Sequence, residues 1–386
     1  MAKMVNSWNE WDPLKRVILG RVEGASVPAP DPEWWHDCPE GGYPRGSYGH
    51  FPQEQVDTAK EQQDYFVSVL EQHGVAVDRP EVHPAIYDGR ATSTPDWTQL
   101  GQYPAVPCRD LYITVGNELI EAPGSRRARW YEYLNYRPVF ERYFKEDPEF
   151  EWISAPKPRL TEESYKRGYY YAFNNLWTDA EKLEHVRDWD YRLTEKEPLW
   201  DAADCTRFGR DIFVQASVLT NRGGMDWLRR HFGARGIRVH TVQFQNDLDP
   251  WHIDVNLVPI RPGLCTYNPA KPPIGDACFE LFKKNDWELV PAAEPAHVYE
   301  AKARVFTEYG KKSWISMNTL MLGPNTVCVE AHETNQIALM EKLGVEVVPI
   351  PYEQVVPFGG SLHCTTQDVY REGTLEDYFP KQVEGF

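Results

Sequence analysis

Strand-like apolar runs and amphipathic helical runs alternate along most of this chain, and the order strand, helix, break, strand recurs five times. In the first passage, a strand over residues 15–20 precedes a helix over residues 53–73, and Gly74 separates that helix from a final strand. The pattern predicts the later helices over residues 125–144, 225–232, 278–284 and 335–343, each between strands. Five similar passages favour a repetitive α/β architecture.

Three of the five passages open on an aspartate: Asp110, Asp211 and Asp254. If the passages form a closed, pseudo-symmetric ring, equivalent positions converge near one axis, and residues far apart in sequence can share a site. A two-layer α/β domain, in which these aspartates only cap strands, explains the same spacing. The pattern of passages leaves both interpretations open.

Two stretches depart from the repeat. Residues 28–49 are rich in Pro, Gly and aromatic side chains, which predicts a long surface loop. Residues 161–201 mix Tyr, Trp, Asp and Glu without a clean period, which predicts a second irregular insertion. Long ordered loops often serve as lids, and neither stretch is typical of a flexible linker. We therefore predict a single domain over residues 1–386.

Composition narrows the class of protein. The chain has 386 residues, 41% of them hydrophobic, and a formal net charge of -17, so nucleic acid and anionic membranes are unfavourable partners. Seven cysteines without a C-x-x-C pair argue against a disulfide framework and against a thiolate zinc site. The N-terminus lacks the apolar segment of a signal peptide. We expect a cytoplasmic protein whose partners are small molecules.

The candidate chemistry lies in three distant motifs. Cys364 ends the run GGSLHC, His252 and Asp254 form a His-x-Asp triplet, and Asp211 lies in GRDIF. A thiol, an imidazole and carboxylates together suit nucleophilic attack on a cationic, carbon-centred electrophile. The two glycines of GGSLHC would allow a tight turn or a close backbone approach to the site.

Each of these residues also has a simpler explanation. A lone cysteine often fills a core, and Asp110 and Asp211 follow arginines with which they could pair at strand ends. His252 and Asp254 could be metal ligands, but no further His or Cys stands nearby at ligand spacing, so we expect no metal.

Seven ordered motifs over about residues 5–380 resemble the amidinotransferase family: NSWNEWDPL, PCRD, DAADCTRFGRDIF, WHID, YNPAKPP, SWISMN and GGSLHC. The resemblance implies the pentein fold, a five-bladed pseudo-symmetric α/β propeller of ββαβ units, which agrees with the five passages. It also implies an enzyme that moves the amidino group of L-arginine to a primary amine and releases ornithine. No cofactor is implied, and relatives suggest a homodimer.

The resemblance assigns roles to five residues. It implies that Cys364 is the nucleophile, that His252 is the acid and base, and that Asp211 orients His252. Asp110 and Asp254 would bind the substrate guanidinium by paired, charge-assisted hydrogen bonds. The intermediate would be an amidino-cysteine, and the kinetics ping-pong.

Three departures from the creatine-pathway member of the family concern the substrates. Lys271 stands where an arginine binds the donor carboxylate, and Lys311 and Lys312 stand where a serine pair is expected. Trp251 replaces a methionine beside His252. We expect Lys271, Lys312 and Trp251 to contact substrate and the acceptor to be bulkier than glycine, as in specialised metabolism. Trp251 could equally be a packing residue.

Two other functions remain open from the sequence. A hydrolase of the arginine deiminase or dihydrolase type would use the same cysteine intermediate with water in place of the acceptor amine. A non-catalytic binder of cationic ligands would keep the carboxylates but lack a reactive thiol.

Overall fold

The computed structural model describes residues 3–29, 48–301, 305, 312–384 and 386. Within these residues, five three-stranded sheets share one plan: two antiparallel strands are followed by a helix and by a third strand that runs parallel to the second. The five passages of the sequence are therefore five ββαβ blades. Most of the surface loop predicted over residues 28–49 lies outside the described residues.

The first blade joins the two ends of the chain. Its first strand is Thr366–Arg371, which pairs antiparallel with Leu14–Leu19, and that strand pairs parallel with Ala76–Asp78. The helix Gln53–Gln72 connects the second and third strands. Because the last strand of the chain completes the blade that the first strand begins, this sheet closes the ring.

The other four blades follow in chain order. Their strands are Tyr112–Val115, Glu118–Glu121 and Glu151–Ser154 in the second blade; Cys205–Phe208, Asp211–Gln215 and Arg238–Val242 in the third; Leu257–Arg261, Leu264–Tyr267 and Glu288–Pro291 in the fourth; and Leu320–Gly323, Thr326–Glu330 and Glu346–Ile350 in the fifth. Their helices are Arg137–Glu146, Arg222–Gly233, Ala277–Lys284 and Thr334–Lys342. Neighbouring blades contact one another around the ring, mainly through their first strands and the turns before them.

Burial follows the position of each strand in its blade. In the third blade, every residue of Cys205–Phe208 and of Asp211–Gln215 is buried, as expected for strands covered on both faces. The third strands are more exposed. The helix Arg222–Gly233 buries an apolar stripe that includes Leu228 and Phe232. The blade helices thus cover the outside of a ring whose inner strands form the core.

The structure refines two predictions from the periodicity. The helix predicted to begin near Ser125 begins at Arg137, after two 3-10 turns. The insertion over residues 161–201 contains the helices Tyr169–Asn175 and Asp179–Asp188, the second with a Thr178 capping box, so it is more regular than predicted. Aromatic and acidic side chains on short helices hide the helical period.

The smaller elements lie in two connections, one within the first blade and one between the first and second blades. Ser26–Val27 pairs with Gly49–His50, Ala91–Ser93 pairs with Thr98–Leu100, and Pro84–Tyr87 forms a single helical turn. Within the described residues, no helix combines the length and the apolar character that crossing a bilayer requires.

Candidate active site

The candidate site is built from equivalent turns, one at the start of the first strand of each blade. Four of these turns are short 3-10 helices that contact one another near the axis, and in the first blade the chain reaches the strand through Cys364. Each turn carries a polar or nucleophilic side chain toward the same place. In blade order, these are Cys364, Asp110, Asp204, Asp254 and Asn318.

Cys364 is buried among polar groups. Its Sγ lies 3.3 Å from Oδ2 of Asp254, and the side-chain amide of Asn318 donates to it over 3.1 Å. Asn318 also accepts the backbone N–H of Cys364 over 2.9 Å, which fixes the turn. Burial, and then the charges of Asp254 and Asp110, raise the pKa of the thiol well above its ordinary value. The thiol of Cys364 is therefore protonated at neutral pH.

Two glycines let the chain pass close to this sulfur. Gly360 has a φ of +142°, and a Cβ atom at this position would lie 2.8 Å from Sγ and 2.3 Å from Cβ of Cys364. Gly359 has a φ of +127°, and a Cβ there would crowd Tyr103 and Pro107. The close backbone approach predicted from GGSLHC is confirmed.

His252 lies between two carboxylates. Its Nε2 is 3.5 Å from Oδ1 of Asp201, and its Nδ1 is 3.9 Å from Oδ1 of Asp110. Burial alone would lower the pKa of His252, but Asp110, Asp201 and Asp204 together raise it to about 10. The backbone at His252 has a φ of +20°, an unfavourable value that the surrounding packing must impose. His252 is thus a buried cation at neutral pH.

Asp211, which the sequence analysis assigned to orient His252, binds other partners. It accepts from Arg238 through two hydrogen bonds of 2.8 and 2.6 Å and lies 2.7 Å from Nε2 of His240. The prediction that Asp211 orients His252 is therefore wrong, and Asp201 and Asp110 face that ring instead.

The topology explains the error. Asp211 opens the second strand of the third blade, opposite Phe208 in the antiparallel pair. The first strand, Cys205–Phe208, carries the chain about 13 Å away from its turn before Asp211 is reached. Asp204 occupies the position equivalent to Asp110 and Asp254, and Asp201 lies just before it. The signal was the DAAD run, which the sequence analysis quoted without assigning a role to either aspartate.

Asp110 and Asp254 each keep one oxygen unpaired. The other oxygen of Asp110 is bound by Arg129, and the other oxygen of Asp254 accepts from Nδ1 of His363 over 2.8 Å. Among the described residues, Oδ1 of Asp110 and Oδ1 of Asp254 have no hydrogen-bond partner although both are buried. A buried carboxylate oxygen normally accepts a hydrogen bond, and a planar guanidinium can donate N–H groups in pairs.

His363 is a residue that the sequence analysis missed. Its Nδ1 bonds Asp254, and its Nε2 lies 3.5 Å from Oε2 of Glu10, which is itself bound by the buried Arg207 over 2.6 Å. Burial would raise the pKa of Asp254, but the hydrogen bond and charge of His363, with His252, lower it below its usual value. His363 therefore keeps Asp254 ionised and oriented. In the sequence, the position of His363 next to Cys364 in GGSLHC could have indicated that it belongs to the site.

The lysines that were predicted to contact substrate have other surroundings in the structure. Lys271 pairs with the buried Asp247 over 2.8 Å, so its charge already has a protein partner. Lys312 is exposed just before the turn Trp314–Met317. Lys311 lies outside the described residues. No substrate contact by these lysines follows from the structure.

Trp251 lies beside the site and also packs. Its ring centroid is 6.2 Å from that of His252, and the guanidinium carbons of Arg126 and Arg192 lie 4.6 and 5.0 Å from the ring centroid. Its indole N–H donates to Asp249 over 2.8 Å. The ring is therefore held rigidly at the edge of the site.

Two groups of site residues also have metal-binding spacing. Ligand atoms of His252, Asp254 and Cys364 lie within 4.8 Å of one another, as do those of Asp110, Asp201 and His252. Spacing in the sequence could not show this, because Cys364 comes from another blade. By distance, either group could hold an ion.

Comparisons with known proteins agree with this geometry. A scan against protein-family models found no match. The chain is 39% identical to the mitochondrial glycine amidinotransferase of Xenopus tropicalis, over 97% of this chain and 85% of the relative. It is 35% identical to the L-arginine:L-lysine amidinotransferase of Pseudomonas savastanoi pv. phaseolicola, over 97% and 96% of the two chains.

A solved structure gives the same result. An amidinotransferase of the saxitoxin biosynthetic pathway from Microseira wollei superposes with a TM-score of 0.81 and 34% identity, covering 97% of this chain and 99% of that one. Similarity of this extent covers all five blades and the turns that build the site. The chain therefore belongs to the amidinotransferase family, enzymes of the pentein fold that transfer amidino groups.

Proposed function

We propose that this enzyme transfers the amidino group of L-arginine to a primary amine through an amidino-cysteine formed on Cys364. The observation that carries the proposal is the pair of buried carboxylate oxygens on Asp110 and Asp254 that have no hydrogen-bond partner and come from two different blades near the thiol. A bound guanidinium would satisfy both oxygens and hold its central carbon against the sulfur.

The donor cation would also activate the nucleophile. The resting thiol is protonated because burial, Asp254 and Asp110 oppose a further negative charge. A guanidinium between these carboxylates neutralises that opposition, so Cys364 loses its proton to solvent when the donor binds. The amide N–H of Asn318, 3.1 Å from Sγ, then stabilises the thiolate.

His252 would move the protons of both half-reactions. Sulfur attacks the guanidinium carbon, the bond from that carbon to the δ-nitrogen of arginine breaks, and the nitrogen leaves as ornithine with a proton from His252. The acceptor amine then gives a proton to His252 and attacks the amidino carbon, and the carbon–sulfur bond breaks. Asp201 and Asp110 stabilise the cationic ring before the first transfer and after the second.

For the acceptor, we propose an amine larger than glycine, such as a lysine-type amino acid or an intermediate of specialised metabolism. Trp251 supports this choice, since it places a rigid indole beside His252. The Pseudomonas relative is named for lysine as acceptor, whereas the Xenopus relative is named for glycine. Glycine is therefore the competing acceptor that an assay must include.

Mass spectrometry of the intact protein tests the covalent step. Incubation with arginine alone should increase the mass by one amidino group and release one equivalent of ornithine. Cys364→Ser should show neither while still binding arginine, because the carboxylates remain. Formation of citrulline or urea at the full rate without an amine would show that the enzyme is a hydrolase. Absence of labelling with every guanidine donor would show that the protein only binds cationic ligands.

A panel of acceptors tests the second substrate. Wild-type protein and Trp251→Met are compared for kcat/KM with glycine, lysine and larger amines. Lysine or a larger amine should be preferred by the wild type, and the methionine variant should shift toward glycine. Preference of the wild-type enzyme for glycine would refute the acceptor proposal and leave the chemistry of Cys364 untouched.

A further inference from the structure

A second cluster of metal-ligating side chains lies on the fifth blade, apart from the catalytic turns. His332 lies in the turn after the strand Thr326–Glu330, and Glu353 follows the strand Glu346–Ile350. His297 comes from the segment that follows the fourth blade. Ligand atoms of these three residues lie within 4.8 Å of one another.

The distances match those of a metal site. Oε2 of Glu353 lies 3.2 Å from Nε2 of His297 and 3.8 Å from Nδ1 of His332. Ligand atoms about 2.0–2.1 Å from a tetrahedral zinc ion stand about 3.3 Å apart. Small rotations of half-exposed side chains would close the remaining gap. Two imidazoles and one carboxylate with an open fourth position is a common zinc ligand set.

The charges around His332 favour a cation at this point. Its Nδ1 is 2.9 Å from Oε1 of Glu330, and Glu353 approaches the same nitrogen from another strand. Two carboxylates thus face one imidazole nitrogen, which is a favourable arrangement for a divalent cation.

Buried groups beneath the cluster hold its ligands in place. Glu330 is 2% exposed and accepts the backbone N–H groups of His332 and Tyr352. Glu333 accepts from the backbone of Ala296 over 2.8 Å and from the hydroxyl of Tyr299 over 3.0 Å, which fixes both sides of His297. Three separate segments therefore present their ligands in a fixed arrangement, as second-sphere partners do in metal proteins.

We propose that His297, His332 and Glu353 form a binding site for Zn²⁺ or a similar divalent transition metal. The ion would tie the segment after the fourth blade to two connections of the fifth. Leu320 pairs with Cys328, so this cluster lies at the same end of the blade as Asn318. The metal would thus stabilise the scaffold that carries the Asn318 turn without entering the reaction.

Equilibrium dialysis with Zn²⁺ on the full-length chain tests the site. Both metal-compatible groups of the active site contain His252, so His252→Ala serves as the background that removes them. This variant should bind one equivalent, and its thermal midpoint should rise with added zinc. Adding His332→Ala should abolish both effects, and adding Glu353→Gln should weaken zinc binding at least about tenfold.

The matched control is His73→Ala, which removes an exposed histidine at the end of the first helix. In the His252→Ala background it should leave zinc affinity and the thermal shift unchanged. The proposal would be overturned if His252→Ala bound no stoichiometric zinc, or if adding His332→Ala left zinc binding unchanged. Either result would show that the three residues form only hydrogen bonds and ion pairs with one another. Neither result would bear on Cys364 or on amidino transfer.

Discussion

Replacing Asp201 with asparagine should lower the pKa of His252, so the ring should lose its acidic proton at a lower pH than in the wild type. The folded enzyme holds the pKa of His252 at about 10, against an ordinary value of 6.5. That difference corresponds to about 5 kcal/mol in favour of the cation. Two charges about 4 Å apart interact by about 4 kcal/mol at an effective dielectric constant of about 20. Asp201 lies 3.5 Å from Nε2, so losing its charge should lower the pKa by about 1–3 units.

The assay is the pH dependence of kcat/KM for arginine, measured as ornithine release with a saturating acceptor. The basic limb of this profile reports loss of the acidic proton from the free enzyme. In the wild type it should lie near pH 10, and in Asp201→Asn it should move down by at least about one unit. The maximum rate should fall by less than about 10²–10⁴, the full contribution of general acid–base catalysis, because His252 stays protonated below its lowered pKa.

Asp211→Asn is the matched control, because Asp211 is a buried carboxylate of the same blade that binds Arg238 and His240 instead of His252. Its pH profile should keep the wild-type shape, while its thermal midpoint should fall through loss of an ion pair. A normal profile for Asp201→Asn together with a displaced profile for Asp211→Asn would refute the assignment of the two aspartates.

Three further outcomes are expected. Asn318→Ala should lower kcat/KM for arginine about ten- to hundredfold, since a hydrogen bond to a charged group contributes about 1.5–3 kcal/mol, and alkylation of Cys364 in the presence of a donor analogue should slow in parallel. His363→Gln should raise KM for arginine more than it lowers kcat, because Asp254 loses the imidazole that bonds its Oδ2; an unchanged KM would contradict this role. The raised pKa of His252 gives stability that is complete below about pH 6.5 and is lost as pH rises toward about 10, so thermal midpoints across this range should fall more for the wild type than for His252→Gln.

Periodicity in the sequence was sufficient to locate the blades but not all of their strands. The helices of the third, fourth and fifth blades begin within three residues of their predicted starts, because each has an apolar stripe with a clear break after it. The first strands of the third and fifth blades, Cys205–Phe208 and Leu320–Gly323, were not predicted. Both are short and buried on both faces, so they lack the alternation that identifies a half-exposed strand.

That omission determined which of the predicted site residues the structure brings together. Cys364, His252, Asp110 and Asp254 meet near the axis because their turns precede first strands or, for His252, adjoin such a turn. The resemblance placed Asp211 with them, but Asp211 opens the second strand of its blade and so lies away from these turns. Long-range contacts, such as the approach of Asp201 to His252 across blades, have no signature in local sequence.

The charge arrangement explains why a buried, protonated thiol suits this reaction. Burial, and then the charges of Asp254 and Asp110, raise the pKa of Cys364, so the empty enzyme presents little thiolate to stray electrophiles. In the proposed reaction, the same carboxylates would select a cationic donor, whose charge would offset theirs and so remove part of the rise in the pKa of the thiol. After the donor amine leaves, the amidino group would stay on sulfur as a cation between the two carboxylates. The net charge of the site would therefore stay the same until the acceptor amine binds. Formation of the intermediate would thus give water no electrostatic advantage over the amine as the attacking group.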